Sequence, residues 1–458
     1  MEREFSELHY PEAPKIVVDP PGPKTRVLLD RQRNAESKAV YYPVGLPLAL
    51  EAGKGATLKD IEGNYYIDLY AGISVLNVGH SNPVVLEAVR KQEEKLVHTL
   101  DFPSTPRVEL AEKLGEIAPG NLKGNAKILF GGPTGSDAVE SAIKLARFNT
   151  QRRTIISFSG SYHGQTAMAL SLTSSTGFKE NYVPLAPEVH FVPYAYCYRC
   201  FAGLEYPVCG LQCAKYIRHI IEDPYSGVVK PAAILVEPIQ GEGGIIVPPN
   251  DWLPELRKIC ATHSIPLIID EIQAGFGRTG KMFACEHSGT SPDIMTMAKA
   301  IGGIGYPLAA IAYHKNLDTW DPGAHVGTFR GHVLAMAASI AAINYMEEKE
   351  LLSHCLKLGR QTLQRLRDFA DECKSIGDVR GKGLMIGLEF VKDKETKEPW
   401  KEIASEIQMK CLKKGVLVWK AGHFGNCIRF LPPLVITSDL LDTALYIFED
   451  SVREAERS

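Results

Sequence analysis

The sequence predicts an α/β fold: a large doubly wound, mostly parallel sheet domain, plus a smaller α/β domain made from both chain ends. Three observations carry this. The chain has 458 residues, beyond the size at which one hydrophobic core keeps growing, so two lobes are expected. From about residue 83, short uninterrupted apolar runs alternate with helical patterning, which indicates strands buried on both faces. A β segment near the start and an α/β stretch after residue 374 leave material at both ends for a second unit. The boundaries drawn on this basis are 1–75 for an arm and part of the small domain, 76–335 for the large domain, and 336–458 for the remainder of the small one.

In chain order, PEAPKIVVDPPGPK (11–24) is too rich in proline for regular structure and predicts an extended arm. In ATLKDIEGNYYIDLY, Glu62-Gly63-Asn64 marks a turn between two alternating runs. The strands then expected are AKILF (126–130), TIISF (154–158), AAILVE (232–237) and IPLIID (265–270). Helical patterning dominates 333–374, and GLMIGLEFV opens the last α/β unit.

Composition narrows the function. A net charge of −3 lacks the basic footprint of a nucleic-acid binder. The charged opening MEREFSELHYPEAPK has no apolar signal core, and no run of eighteen apolar residues predicts a membrane span. A cytoplasmic protein with reduced cysteines is therefore expected. Cys197, Cys200, Cys209 and Cys213 form C-x2-C-x8-C-x3-C, which suits a structural zinc, a disulfide or free thiols.

In open α/β sheets, ligands gather at the carboxyl ends of strands. After AKILF, glycines 131, 132 and 135 with Thr134 and Ser136 precede a helix whose free N–H groups and dipole favour an anion; a merely capped helix reads the same way. IPLIID ends in Asp270, a carboxylate that burial would destabilise without a donor, a salt bridge to Arg278 or a helix to cap. Lys299 follows in an apolar setting that lowers an amine pKa, although many such lysines snorkel to solvent. Together, an anion cradle, a strand-end Asp and a downstream Lys are what pyridoxal 5′-phosphate needs: an anchored phosphate, a protonated ring nitrogen and a Schiff-base amine.

VEPIQGEGG, IIDEIQAGFGRTG, PDIMTMAKAIGG and RFLPPLVI resemble the class III, or ω-, aminotransferases of the type I pyridoxal-phosphate fold, over nearly the whole chain. The resemblance implies Lys299 as Schiff-base lysine and proton shuttle, with Asp270 on the ring nitrogen and Gln273 on the ring hydroxyl. It also implies Thr134, Gly135 and Ser136 around the phosphate and Tyr162 stacked on the ring. Thr328 would reach the neighbouring subunit's cofactor, which implies a homodimer or higher homo-oligomer. Pro133 departs from the family's usual Asn, so backbone contacts are the firmer expectation there.

Glu242 and Arg429 match a substrate-switching pair; a fixed structural salt bridge is the alternative. Glu237 is expected beside the ring region or as a solvated strand-end carboxylate. Ile73 and Ser74 are candidate pocket residues.

The implied reaction is ping-pong transamination from an amine donor resembling 4-aminobutyrate, diaminobutyrate or ornithine to a keto acid such as 2-oxoglutarate, with no metal in the chemistry. GPTGSDAVE and HVGTFRG look most like diaminobutyrate aminotransferases, whereas PKIVVDPPGPK and RFLPPLVIT resemble an archaeal racemase branch. That branch tends to carry Asp at position 242, which favours transamination over racemisation. A non-enzymatic metal-binding or interaction protein on the same scaffold is opposed by the presence of Lys299.

Overall fold

The computed structural model describes residues 2–457. Its largest sheet has seven strands: β1 (Ala126–Phe130), β2 (Ile155–Phe158), β3 (Val189–Val192), β4 (Ala233–Val236), β5 (Leu267–Asp270), β6 (Ile294–Met297) and β7 (Ala310–His314). Across the sheet they lie in the order β1-β7-β6-β5-β4-β2-β3. β2, β4, β5 and β6 are buried at every position, which is why their sequences are apolar without alternation.

The sheet is mixed, as expected, with one strand running against the others. β7 pairs antiparallel with both β1 and β6, while β3, β2, β4, β5 and β6 pair parallel in succession. The residues entering β7 therefore arrive at the sheet edge from which the parallel strands leave. β3, β6 and β7 were not marked from the sequence. They are four or five residues long and carry His, Thr or Met among their apolar positions, too little for a periodicity signal.

Helix α1 (Gly135–Thr150) follows β1 and packs Val139, Ala142, Ile143 and Ala146 into the core. The expected helical span resolves into two helices. Val333–Glu348 is apolar nearly all round and enclosed, whereas Leu351–Glu372 is amphipathic, burying Cys355, Leu358, Thr362, Leu366 and Phe369.

Both chain ends build the smaller sheets. Strands Leu50–Lys54, Thr57–Asp60 and Tyr65–Asp68 form an antiparallel meander, turned at Gly63 with φ of 93°. Val416–Leu417 joins it parallel to Tyr65–Asp68. The other small sheet orders Ile376–Lys382, Met385–Phe390, Cys427–Phe430 and Trp419–Ala421.

Arg278 ties these pieces together. It is fully buried and does not pair with Asp270; that alternative is corrected here. Nε donates to Ser74 Oγ at 2.9 Å and Nη2 to Asn77 Oδ1 at 2.5 Å, while Nη1 donates to the Leu384 and Pro432 carbonyls at 3.2 and 2.5 Å. Burial lowers its pKa to about 10, and the four acceptors stand in for a counter-ion. Arg278→Met should strand these acceptors and destabilise the protein by roughly 3 kcal/mol, read as a lower denaturant midpoint.

Candidate active site

Four neighbouring strands deliver the site. After β2 come Tyr162 and His163; after β4 comes Glu237; β5 ends in Asp270; after β6 comes Lys299. Because these strands are parallel neighbours, their following residues emerge side by side. β1 runs the same way and brings Thr134, Gly135 and Ser136 to the same edge, and antiparallel β7 brings Tyr306, Pro307 and Leu308 to it from the opposite direction. All these side chains line one cavity of about 350 Å³, together with Gln273, Val75 and Ile272.

At the anion end, Gly135 begins α1, whose first N–H groups have no partner within the helix. The Thr134 N–H and hydroxyl both donate to Asp137, at 3.0 and 2.7 Å, so the Thr134 hydroxyl is already engaged in capping. The capped-helix reading of this turn therefore holds. Ser136 Oγ accepts the Gln165 N–H at 3.3 Å, and Gly164, with φ of 123°, leaves it room: a Cβ there would sit 2.0 Å from Ser136 Oγ. Glu140 fastens the Tyr162 loop to α1 by accepting from Thr166 Oγ1 and the Met168 N–H at 2.6 and 3.0 Å.

At the other end, Asp270 is buried and well supplied with donors. Oδ1 accepts from the Ile272 N–H and Thr296 Oγ1, each at 3.0 Å. Oδ2 lies 2.7 Å from His163 Nδ1, so the carboxylate selects the Nδ1–H tautomer and leaves Nε2 buried without a partner. His163 was not singled out from the sequence; only the adjacency of β2, β4 and β5 brings it to Asp270.

Glu237 is buried too. Its oxygens accept the Tyr162 and Gly241 N–H groups at 3.1 and 2.9 Å. Burial raises its pKa to about 7, against the pull of His163 and with the push of Asp270. A solvated strand-end carboxylate is thereby corrected.

Lys299 adopts φ of 54°, a left-handed conformation that ordinary side chains avoid, and the turn through Gly302 holds it at the cavity. Burial lowers its pKa, with Arg429 adding to the effect; Glu242, Asp270 and Glu237 oppose it. The lysine lines the cavity and has not snorkelled to solvent.

Tyr162 also borders a second cavity of about 640 Å³, lined by Glu242, Tyr41, Trp419, Lys401 and His423. Arg429, with no exposed surface, places Nη1 2.8 Å from Glu242 Oε1. None of its three nitrogens makes a hydrogen bond of good direction, so charge contact alone joins the pair and its donors stay unsatisfied. Ile73 and Ser74 do not line the site. Ile73 packs with Ile239 and Ile245, and Ser74 Oγ donates to the Gln273 carbonyl at 2.9 Å while accepting from Arg278. Thr328 is exposed on the loop before Val333–Glu348 and is absent from the lining of its own chain's cavity.

Fold and cavity define a pyridoxal-phosphate enzyme of the type I fold, and the residues present fit that cofactor. The α1 N-terminus would take the phosphate, Asp270 the ring nitrogen, and Gln273, whose buried Oε1 lacks a partner, a ring substituent. The chain belongs to the aminotransferase class-III family, whose model matches residues 41–452, and it is a pyridoxal-phosphate-dependent transaminase.

It is 40% identical to a diaminobutyrate–2-oxoglutarate aminotransferase of Rhizobium meliloti, covering 90% of each chain. It is 41% identical to a leucine/methionine racemase of Thermococcus litoralis, covering 92% of this chain and 93% of that one. The ornithine aminotransferase of Toxoplasma gondii, solved with pyridoxal phosphate partly occupying its active site, superposes with a TM-score of 0.82 at 28% identity, over 94% and 95% of the two chains. Among the described residues, no helix is long and apolar enough to cross a membrane.

The raised Glu237 pKa has a thermodynamic consequence. Between the ordinary 4.5 and about 7 the folded state binds the proton more tightly than the unfolded state, so its contribution falls as pH rises through that window, by about 3 kcal/mol in all. Denaturant midpoints across the window should fall less steeply for Glu237→Gln than for the native protein. His163→Phe should cut kcat about tenfold or more and shift the pH profile of the visible absorbance band, because Asp270 loses a donor.

Proposed function

We propose that this transaminase moves the amino group of a donor that also carries a carboxylate, such as 2,4-diaminobutyrate or 4-aminobutyrate, to 2-oxoglutarate. The observation that carries the reading is the buried Arg429 with unsatisfied donors, touched by the half-exposed Glu242 at the cavity wall. A dicarboxylate acceptor needs a cation there, and an amine-tailed donor needs that cation masked. Glu242, with 28% of its side chain exposed, is free to swing, whereas Arg429 is not.

In the proposed assignment, Lys299 Nζ would anchor the cofactor, and the N-terminal turn of α1 at Thr134, Gly135 and Ser136 would hold its phosphate. Asp270, met by three donors, would hold a proton on the ring nitrogen, Gln273 would bond the ring hydroxyl, and Tyr162 would cover a ring face. Pyridoxal phosphate supplies the electron sink for the carbon that loses its proton. Lys299 would take that proton at Nζ; burial favours the neutral amine this role requires. Lys299 Nζ would hold that proton until it is given back as the keto product leaves, and the same site would then take 2-oxoglutarate.

The working unit is proposed to be a homodimer in which Thr328 serves the neighbouring subunit's phosphate. Its flanking Val326 and Phe329 are 64% and 71% exposed, an apolar face suited to a second chain. Ten free thiols support a reducing, cytoplasmic setting.

Supplied with 2,4-diaminobutyrate and 2-oxoglutarate, the protein should form glutamate; inversion of an amino acid in deuterated water without any keto acid would instead establish a racemase. Lys299→Ala should abolish turnover and the borohydride-reducible absorbance. Arg429→Leu should raise the KM for 2-oxoglutarate about 30-fold while sparing the half-reaction with the amine donor.

A further inference from the structure

The four clustered cysteines take no part in the proposed reaction, yet their arrangement is specific. Cys197, Cys200, Cys209 and Cys213 all line one small, partly open cavity of about 20 Å³, room for roughly a single water. Among the described residues, no group of three or more His, Cys, Asp or Glu is disposed to hold a metal ion. The geometry thus favours chemistry between two thiols over a four-ligand metal centre.

The two flanks of the segment are anchored in the body of the protein, whereas its middle is exposed and held by Tyr206 on Asp251 and by the Phe201 ring against Tyr216. On one flank Arg199 Nε donates to Glu389 Oε1 at 2.5 Å, Tyr196 OH bonds the same carboxylate, and Lys397 Nζ donates to the Tyr198 carbonyl at 2.9 Å. On the other, Cys213 lies in the first turn of helix Gln212–Glu222, whose Ala214, Ile217 and Ile220 are buried. Between them residues 201–208 are all exposed, Phe201 and Val208 included. Cys197 is the exposed thiol on the fastened flank, and Cys209 closes the exposed limb.

We propose that Cys197 and Cys209 form a thiol–disulfide site, whose oxidation by a small-molecule disulfide pins the exposed limb to the Glu389-anchored flank. The Cys197 thiolate attacks the external disulfide, forming a mixed disulfide and releasing one thiolate. The Cys209 thiolate then displaces the second, forming the Cys197–Cys209 bond. Two protein thiols are oxidised, one external disulfide is reduced to two thiols, and the two protons pass to the leaving thiolates. Partial loss of solvent at its base, then the neighbouring Cys209 and Cys200 thiols, raise the Cys197 pKa, so the exchange is slow at neutral pH and accelerates as pH rises.

The test uses the full-length, cofactor-loaded enzyme, treated with oxidised glutathione and mapped without reduction. Arg199 is the only tryptic site between the two cysteines, so the expected product joins peptides 180–199 and 200–215, with fragmentation locating the link at Cys209. Two titratable thiols should be lost, and chymotryptic cleavage after Phe201 or Leu204 should slow about tenfold. Cys209→Ser should abolish the link and the protection while keeping transaminase activity. A link from Cys197 to Cys200 or Cys213, no link after prolonged alkaline treatment, or one tightly held zinc per chain that shields all four thiols would each overturn the proposal.

Discussion

A carboxylate at the end of a fully buried strand is unstable without donors, and the active site is organised around that requirement at Asp270. Its oxygens meet a backbone N–H, a threonine hydroxyl and a histidine ring, drawn from the turn after β5, from β6 and from the loop after β2. Each donor fixes an element: the turn at Ile272 aims Gln273 at the cavity, Thr296 ties β6 to β5 just before Lys299, and His163 anchors the loop that carries Tyr162. Weakening these bonds would loosen three walls of the cavity together.

Buried charge recurs throughout the molecule, and each instance is resolved differently. Glu237 and Glu271 are each met by two backbone N–H groups, and burial still raises both pKa values to about 7. Arg278 is neutralised by dipoles alone and serves as a structural joint. Arg429 has one ionic neighbour and no well-directed hydrogen bond. The two arginines thus differ in kind: Arg278 has its donors met and joins elements of the fold, whereas Arg429 is buried with its donors unmet beside Glu242.

Much of this was legible in the chain. Asp270, Lys299, Gln273, Tyr162 and the Thr134–Ser136 turn all meet at one cavity, and each stands beside a strand or turn that the apolar runs or glycines mark. His163 left no signal because a histidine after a strand is unremarkable until the neighbouring strand is known. Ser74 reads as a pocket residue in the sequence, but its hydroxyl faces Arg278, a partner 204 residues away. Strand β7 escaped notice for the same reason: its direction is set by pairing with β1 and β6, and pairing is not written in five residues.

The sequence by itself determined the α/β class, strands β1, β2, β4 and β5 of the main sheet, the cofactor chemistry and about half of the residues that line the cavity. These follow from local rules: apolar runs that must be buried, glycines that permit a turn, and a lysine and an aspartate spaced along one domain. Tertiary structure alone decided the reversed strand that brings Tyr306 to the cavity, the histidine that polarises Asp270, the joint at Arg278 and the gathering of four cysteines around one small void. Those depend on which distant segments become neighbours, and that is settled by the packing of the whole chain.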